Sequence, residues 1–450
     1  MMASSPAPAV QATDYTLRCL ATDDVLQDRA AEGPAFPLVN PRAKQAAFLR
    51  AQYGTREFSF GAPEEGVYRF ANWLPLATRL RGSSASVAYK SDRLARHLGL
   101  KHLWISFTGY WPERGARSLT GTFKEHEAYS VYGRMGADAA RSTLVVASAG
   151  NTARAFLRVA SENELPLVVV VPEPNLANLW TVGKRSSSTT VVAAGDGADY
   201  SDAIALAGML TQDPAFLAEG GAKNVARRDG MGTSYLAMVA ESGEVPEHYF
   251  QAIGSGTGAI AAWEANDRIN TSGFTAARTT RLHLAQNAPF TLLVDAWNKR
   301  ARELPDIDDA VAKKQIAQIN AKVLANRKPP YAPVGGLYDA LSDSDGLMYA
   351  VENDAAATAG ALFDKHEGAE LSPAASVAAG ALLDAIERQT LGKSDLIMLN
   401  ATGGGFGRAR TELETYPLEA DIVAGRELWN AAAISNAVRE YRATVQHQAK

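Results

Sequence analysis

The chain has 450 residues, of which 46% are hydrophobic, and Lys+Arg 45 against Asp+Glu 49 leaves a formal net charge of -4. Length and apolar content are enough for two or three domains with large cores, and the balanced charge carries no footprint of nucleic-acid or membrane binding. One cysteine, Cys19, excludes intrachain disulfides and cysteine metal clusters, and the seven histidines show no ligand-like spacing, so no metal is expected.

Residues 1–13 are rich in Ala, Ser and Pro without a basic segment leading into an apolar one, so they read as a disordered lead-in, not a signal peptide. The longest apolar runs are strand-length, which predicts a soluble cytoplasmic protein with no membrane partner. Residues 15–64 read as an extended or partly helical arm, broken at Gly33-Pro34 and Gly61-Ala-Pro63. A strand over 101–107 leads through a loop to Ser118-Leu-Thr-Gly-Thr-Phe-Lys124, where a helix begins and runs to about 135. Strand 143–148, a helix to 163 and strand 167–171 form a βαβ unit and imply parallel pairing. The pattern recurs at 189–210 and at 249–265, followed by a polar helical stretch over 289–326, a helix over 373–389 and a strand over 395–399. The fold class predicted is α/β: two open, mainly parallel sheets flanked by helices, with the active site in the cleft between domains. The expected division is an arm (1–64), a discontinuous large cofactor-binding domain (65–135 and 250–450) and a small mobile α/β domain (136–249).

Ligands in such folds bind at the carboxyl ends of strands, and four motifs fall there. Lys124 sits at a helix start, where the positive end of the dipole disfavours its cationic form and biases the amine toward the state that condenses with an aldehyde. Ala147-Ser-Ala-Gly-Asn-Thr152 offers small residues for close backbone approach and the amide of Asn151, although an ordinary helix-capping turn competes. Gly254, Ser255, Gly256, Thr257 and Gly258 form an amide-rich cradle suited to a dianion. A dinucleotide fingerprint is disfavoured because Ile260 follows Ala259 where a third glycine is needed. Asn400-Ala-Thr-Gly-Gly-Gly405 presents the Thr402 hydroxyl, with a plain glycine-rich turn as the alternative. Together the four suit an aldehyde cofactor with a phosphate tail, pyridoxal 5′-phosphate.

Order and spacing resemble the fold-type II pyridoxal-phosphate enzymes of the threonine synthase branch. Tyr110-Trp-Pro-Glu113, Thr120-Gly-Thr-Phe-Lys-Glu125, Ser148-Ala-Gly-Asn-Thr152, Asn224-Val-Ala-Arg-Arg-Asp-Gly-Met-Gly232 and Gly254-Ser-Gly-Thr-Gly-Ala-Ile-Ala-Ala-Trp-Glu264 are most similar to the cysteate synthases. The resemblance implies that Lys124 binds the cofactor covalently and acts as catalytic base. Asn151 would then bond the phenolic oxygen, Gly254 to Gly258 the phosphate, and Thr402 the pyridine nitrogen. It implies replacement of phosphate on O-phospho-L-serine by sulfite to give L-cysteate, with a homodimer expected. The substrate candidates are Thr120, Ser148, Thr152, Arg154, Asn224 and Arg227, with Arg408 as a further cation, while Lys184 and Arg185 read as solvated. Threonine synthase chemistry (O-phosphohomoserine plus water), another nucleophile, and a catalytically silent binding protein are the rivals. Thr122 stands where serine is common in the wider group, and Ala259 follows Gly258 where a paired glycine is usual.

Overall fold

A computed structural model describes residues 12–29, 35–148 and 150–448. The expected lead-in lies almost wholly outside the described residues, as do the Gly33-Pro34 break and Ala149 of the asparagine motif.

Two sheets organise the molecule. The larger runs in the order Leu347–Val351, Arg281–Asn287, His248–Ala252, Leu396–Ala401, His102–Phe107, Val87–Lys90, parallel except for the last strand. The smaller runs Phe216–Ala218, Thr143–Ala147, Leu167–Pro172, Thr189–Ala194, Ile422–Ala424 and is wholly parallel. Helices cover both faces of parallel sheets, so central strands are continuous apolar runs; all six residues of Leu167–Pro172 and of Thr189–Ala194 are buried.

The helix Lys124–Met135 packs against both Asn151–Glu162 and Val225–Ser242, and so joins the two halves. Val225–Ser242 itself lies on the strands Val87–Lys90 and His102–Phe107. This departs from the expected division, which placed 136–249 in the small domain. The C-terminal part departs too. Ile422–Ala424 extends the smaller sheet, and the helix Ala431–Gln448 packs on Tyr200–Leu210, so 415–448 does not pack as part of the larger unit. A three-residue strand carries no periodic signal of its own; its place is set by the edge it joins.

The arm differs as well. Of the two alternatives, extended or partly helical, 15–53 takes the extended one, and it goes further by pairing into a three-stranded antiparallel sheet, Val25–Leu26, Tyr15–Cys19 and Leu49–Tyr53. Buried polar contacts fasten it to the body: Arg134 donates to both Asp28 carboxylate oxygens at 2.7 Å, and Tyr53 Oη donates to Asp229 at 2.5 Å. The stretch expected to be helical over 289–326 is two short helices, Leu292–Asn298 and Asp309–Gln318, followed by a loop that reaches the cleft. The histidines are also less scattered in space than in sequence, since His248 and His283 meet at 2.8 Å near the amino ends of their strands, away from the cleft.

Candidate active site

Ser118-Leu-Thr-Gly-Thr-Phe-Lys124 is a tight loop that feeds the first turn of a helix. Ser118 Oγ donates to the Thr122 carbonyl at 3.1 Å, and the Thr122 hydroxyl accepts the Lys124 amide at 3.4 Å. The loop is tied to a motif nearly three hundred residues away. Phe123 N–H donates to the Thr402 carbonyl at 3.0 Å, and Gly404 N–H to the Gly121 carbonyl at 3.0 Å. Gly121 has φ +70°, and a Cβ there would lie 2.6 Å from the Phe406 ring, so this close approach needs glycine.

Lys124, Ser148, Asn151, Thr152, Arg227, Gly254 to Gly258 and Thr402 all line one cavity of about 460 Å³ at the carboxyl ends of the strands. Thr120, Arg154 and Asn224 do not line it. Asn224 is spent structurally: its Oδ1 accepts the Ala226 amide at 3.1 Å, starting the helix Val225–Ser242, and Arg134 Nη1 at 2.8 Å. The Thr120 carbonyl accepts Arg154 Nη2 at 2.7 Å. Of the other cations considered, Arg185 pairs with Asp421 and Arg408 with Glu113 and Glu412. Arg185 is therefore committed to a half-buried ion pair and not simply solvated.

Electrostatics at the lysine depend on two acids that sequence reasoning missed. Lys124 Nζ donates to Glu127 Oε2 at 3.3 Å; Glu127 Oε1 meets Arg227 at 3.1 Å, and Arg227 Nε donates to Glu219 Oε1 at 2.9 Å. Burial pushes the Lys124 ammonium below the ordinary lysine range, with Glu127 pulling the other way. Burial likewise pushes the Glu219 carboxyl up, against the pull of Arg227. Glu127 could have been suspected from its place one turn after the lysine; nothing local marks Glu219.

The opposite wall is built of backbone. The helix Thr257–Ser272 starts behind Gly256, which has φ +77°. Among the described residues the amides of Ser255, Gly256 and Gly258 make no hydrogen bond to backbone, and they lie at the positive end of a helix. The Thr402 hydroxyl and Asn151 Nδ2 likewise make no hydrogen bond among the described residues, whereas most such groups in this interior do. An amine whose charged form burial disfavours, unspent amides at a helix start, an unspent Asn151 Nδ2 and an unspent Thr402 hydroxyl fit an aldehyde with a ring and a phosphate. The segment 322–328 closes the top, with Leu324 backbone 3.0 Å from where a Gly254 Cβ would stand.

The family model described as pyridoxal-phosphate dependent enzyme matches residues 88–403, and the chain belongs to that family. Among its relatives, a cysteate synthase from Methanosarcina barkeri is 43% identical over 374 residues, covering 83% of this chain and 89% of the relative. One from Methanocorpusculum labreanum is 44% identical over 405 residues, covering 89% and 95%. In three dimensions the fold is similar to a diaminopropionate ammonia lyase from Escherichia coli, with a TM-score of 0.56 at 14% identity over 79% of this chain and 94% of that one. The architecture is that of fold type II, and the cofactor of the family is pyridoxal phosphate. Among the described residues no helix is long and apolar enough to cross a membrane.

Proposed function

We propose that the chain replaces the phosphate of O-phospho-L-serine by sulfite, giving L-cysteate. The observation that carries this is one cavity joining Lys124, Asn151, the glycine cradle and Thr402 in a chain 43% identical to a cysteate synthase. In this reading Lys124 binds the cofactor aldehyde, Asn151 donates to the phenolic oxygen, the amides of Ser255, Gly256 and Gly258 hold the phosphate, and Thr402 faces the ring nitrogen. Bound pyridoxal phosphate supplies the electron sink for charge developing at Cα.

The chain's own groups do the rest. Displaced from the cofactor by the substrate amine, Lys124 Nζ takes the Cα proton, which its burial suits it to do as a neutral base. Glu127 at 3.3 Å then stabilises the resulting ammonium. The Cβ–O bond breaks with its electron pair leaving on phosphate, the sulfur lone pair of sulfite forms the C–S bond, and Lys124 returns the proton to Cα. Ser148 and Thr152, beside Asn151 at a helix start, hold the substrate carboxylate. A neutral hydroxyl at Thr402 would not protonate the ring nitrogen, which would favour loss of the leaving group over transamination. A cytoplasmic homodimer belongs to the same proposal, supported by the resemblance to its relatives.

Holoenzyme incubated with O-phosphoserine and sulfite should release phosphate and form cysteate, read by mass spectrometry. Phosphate release from O-phosphohomoserine alone would replace this reading with threonine synthase chemistry.

A further inference from the structure

Next to the inner cavity lies a second chamber of about 810 Å³, which shares Gly150, Asn151 and Tyr200 with it. Its charge is one-sided: Arg154, Lys313, Lys322, Arg327 and Arg410 face a single carboxylate, Asp199. Two of those cations are already spent. Arg327 pairs with Asp199 and Asp309, and Lys322 Nζ donates to the carbonyls of Ile316 and Ala317 at 2.6 and 2.7 Å. Arg154 is different. It is only 4% exposed, yet no carboxylate lies within ion-pair distance among the described residues. Its Nη2 donates to the Thr120 carbonyl, its Nη1 reaches Asn151 Oδ1 only at 3.5 Å, and its Nε has no partner among the described residues. The guanidinium lies 3.7 Å from the Trp180 ring centroid, and Arg410, exposed and also without an ion pair, approaches the same ring at 5.3 Å.

A buried cation without a counter-ion is costly, and a second cation beside it raises that cost. Burial first, then Arg410, push the Arg154 guanidinium down to about 9, against a weaker pull from Glu125. Glu125 is turned to the Thr120 amide at 2.5 Å and forms no ion pair with Arg154. Two guanidiniums set against one indole, in a chamber that adjoins Asn151, offer N–H groups to a small oxyanion.

We propose that Arg154 and Arg410, set against Trp180, bind the small oxyanion of the reaction in the chamber that adjoins the inner cavity at Asn151. Which oxyanion rests on the function proposed above: incoming sulfite or departing phosphate, both compact acceptors of guanidinium N–H groups. The test uses holoenzyme, whose glycine cradle is filled by cofactor, with inorganic sulfite and inorganic phosphate titrated separately by calorimetry and no amino-acid substrate present. Arg154→Met should weaken one anion about tenfold or more, and Arg410→Gln about threefold, with the visible spectrum of the bound cofactor unchanged. Loss confined to sulfite assigns the chamber to the nucleophile; loss confined to phosphate assigns it to the leaving group. Unchanged affinity for both anions in both variants overturns the proposal. Arg410 is exposed, so Arg410→Gln decides the matter should Arg154→Met fail to fold. Oxyanion binding that depends on these arginines in an enzyme making no cysteate would sink the proposed reaction and leave the site standing.

Discussion

The two chambers of the cleft treat charge in opposite ways. At the inner one, among the described residues, the lining cations Lys124 and Arg227 are paired with the buried acids Glu127 and Glu219, so that the four alternate in sign. In the outer one, Arg154 is as deeply buried as Arg227 but has no counter-ion. Paired charges in a low-dielectric wall hold one another's geometry and leave little for a ligand to gain. An unpaired one is destabilising until an anion arrives. The difference separates groups that position from groups that wait.

The largest effect that can break this comparison comes from the lysine proposed to react in the inner chamber. Lys124→Ala should cost about a thousandfold or more in turnover and abolish borohydride-fixed cofactor, read by mass spectrometry of the 118–135 peptide. Survival of both would remove the basis for the inner site. Next comes stability. Arg227→Met strands the buried Glu219 carboxylate, leaves Glu127 only Lys124, and should cost about 3–5 kcal/mol, measured as a urea midpoint shift at constant slope. Arg154→Met, in buffer free of sulfite and phosphate, should cost less than about 1 kcal/mol. The sign follows from linkage: a basic group held near 9 when folded, below its unfolded value, costs stability while charged, and that cost fades as pH rises through 9. Equal losses for the two arginines would erase the distinction.

A smaller effect sharpens the role of Glu127. It raises the proton affinity of Lys124 against the lowering by burial, so Glu127→Gln should shift acetic anhydride labelling of Lys124 in cofactor-free protein to lower pH, by about one unit. An unmoved labelling midpoint would mean that the 3.3 Å contact does not tune the amine. Smallest of all, Lys313→Ala at the exposed rim of the outer chamber should raise the KM for sulfite less than about twofold, and the difference should vanish at high salt.

Lys124, Asn151, the 254–258 cradle and Thr402 were legible because each motif is a local strand–turn–helix event, in which residue type and spacing already dictate where amides and side chains point. The same holds for the apolar runs 167–171 and 189–194, which became central strands. Asn224 misled for a local reason: an asparagine before a helix serves equally as a cap, and here it is one. A three-residue strand such as Ile422–Ala424 could not be read, since its stability comes from an edge supplied by distant chain.

By itself the sequence determined the α/β class and the cofactor class, and singled out motifs that meet in one cavity, because these follow from backbone geometry and side-chain type over a few residues. Only the tertiary structure decided which charges pair. Glu219 and Arg227 meet across a loop and a helix, Glu127 closes the chain of ions to Lys124, and Arg154 is left with an aromatic ring in place of an acid. Ion pairing acts over a few ångströms in space and is blind to distance along the chain, so folding had to bring those groups together before their roles could differ.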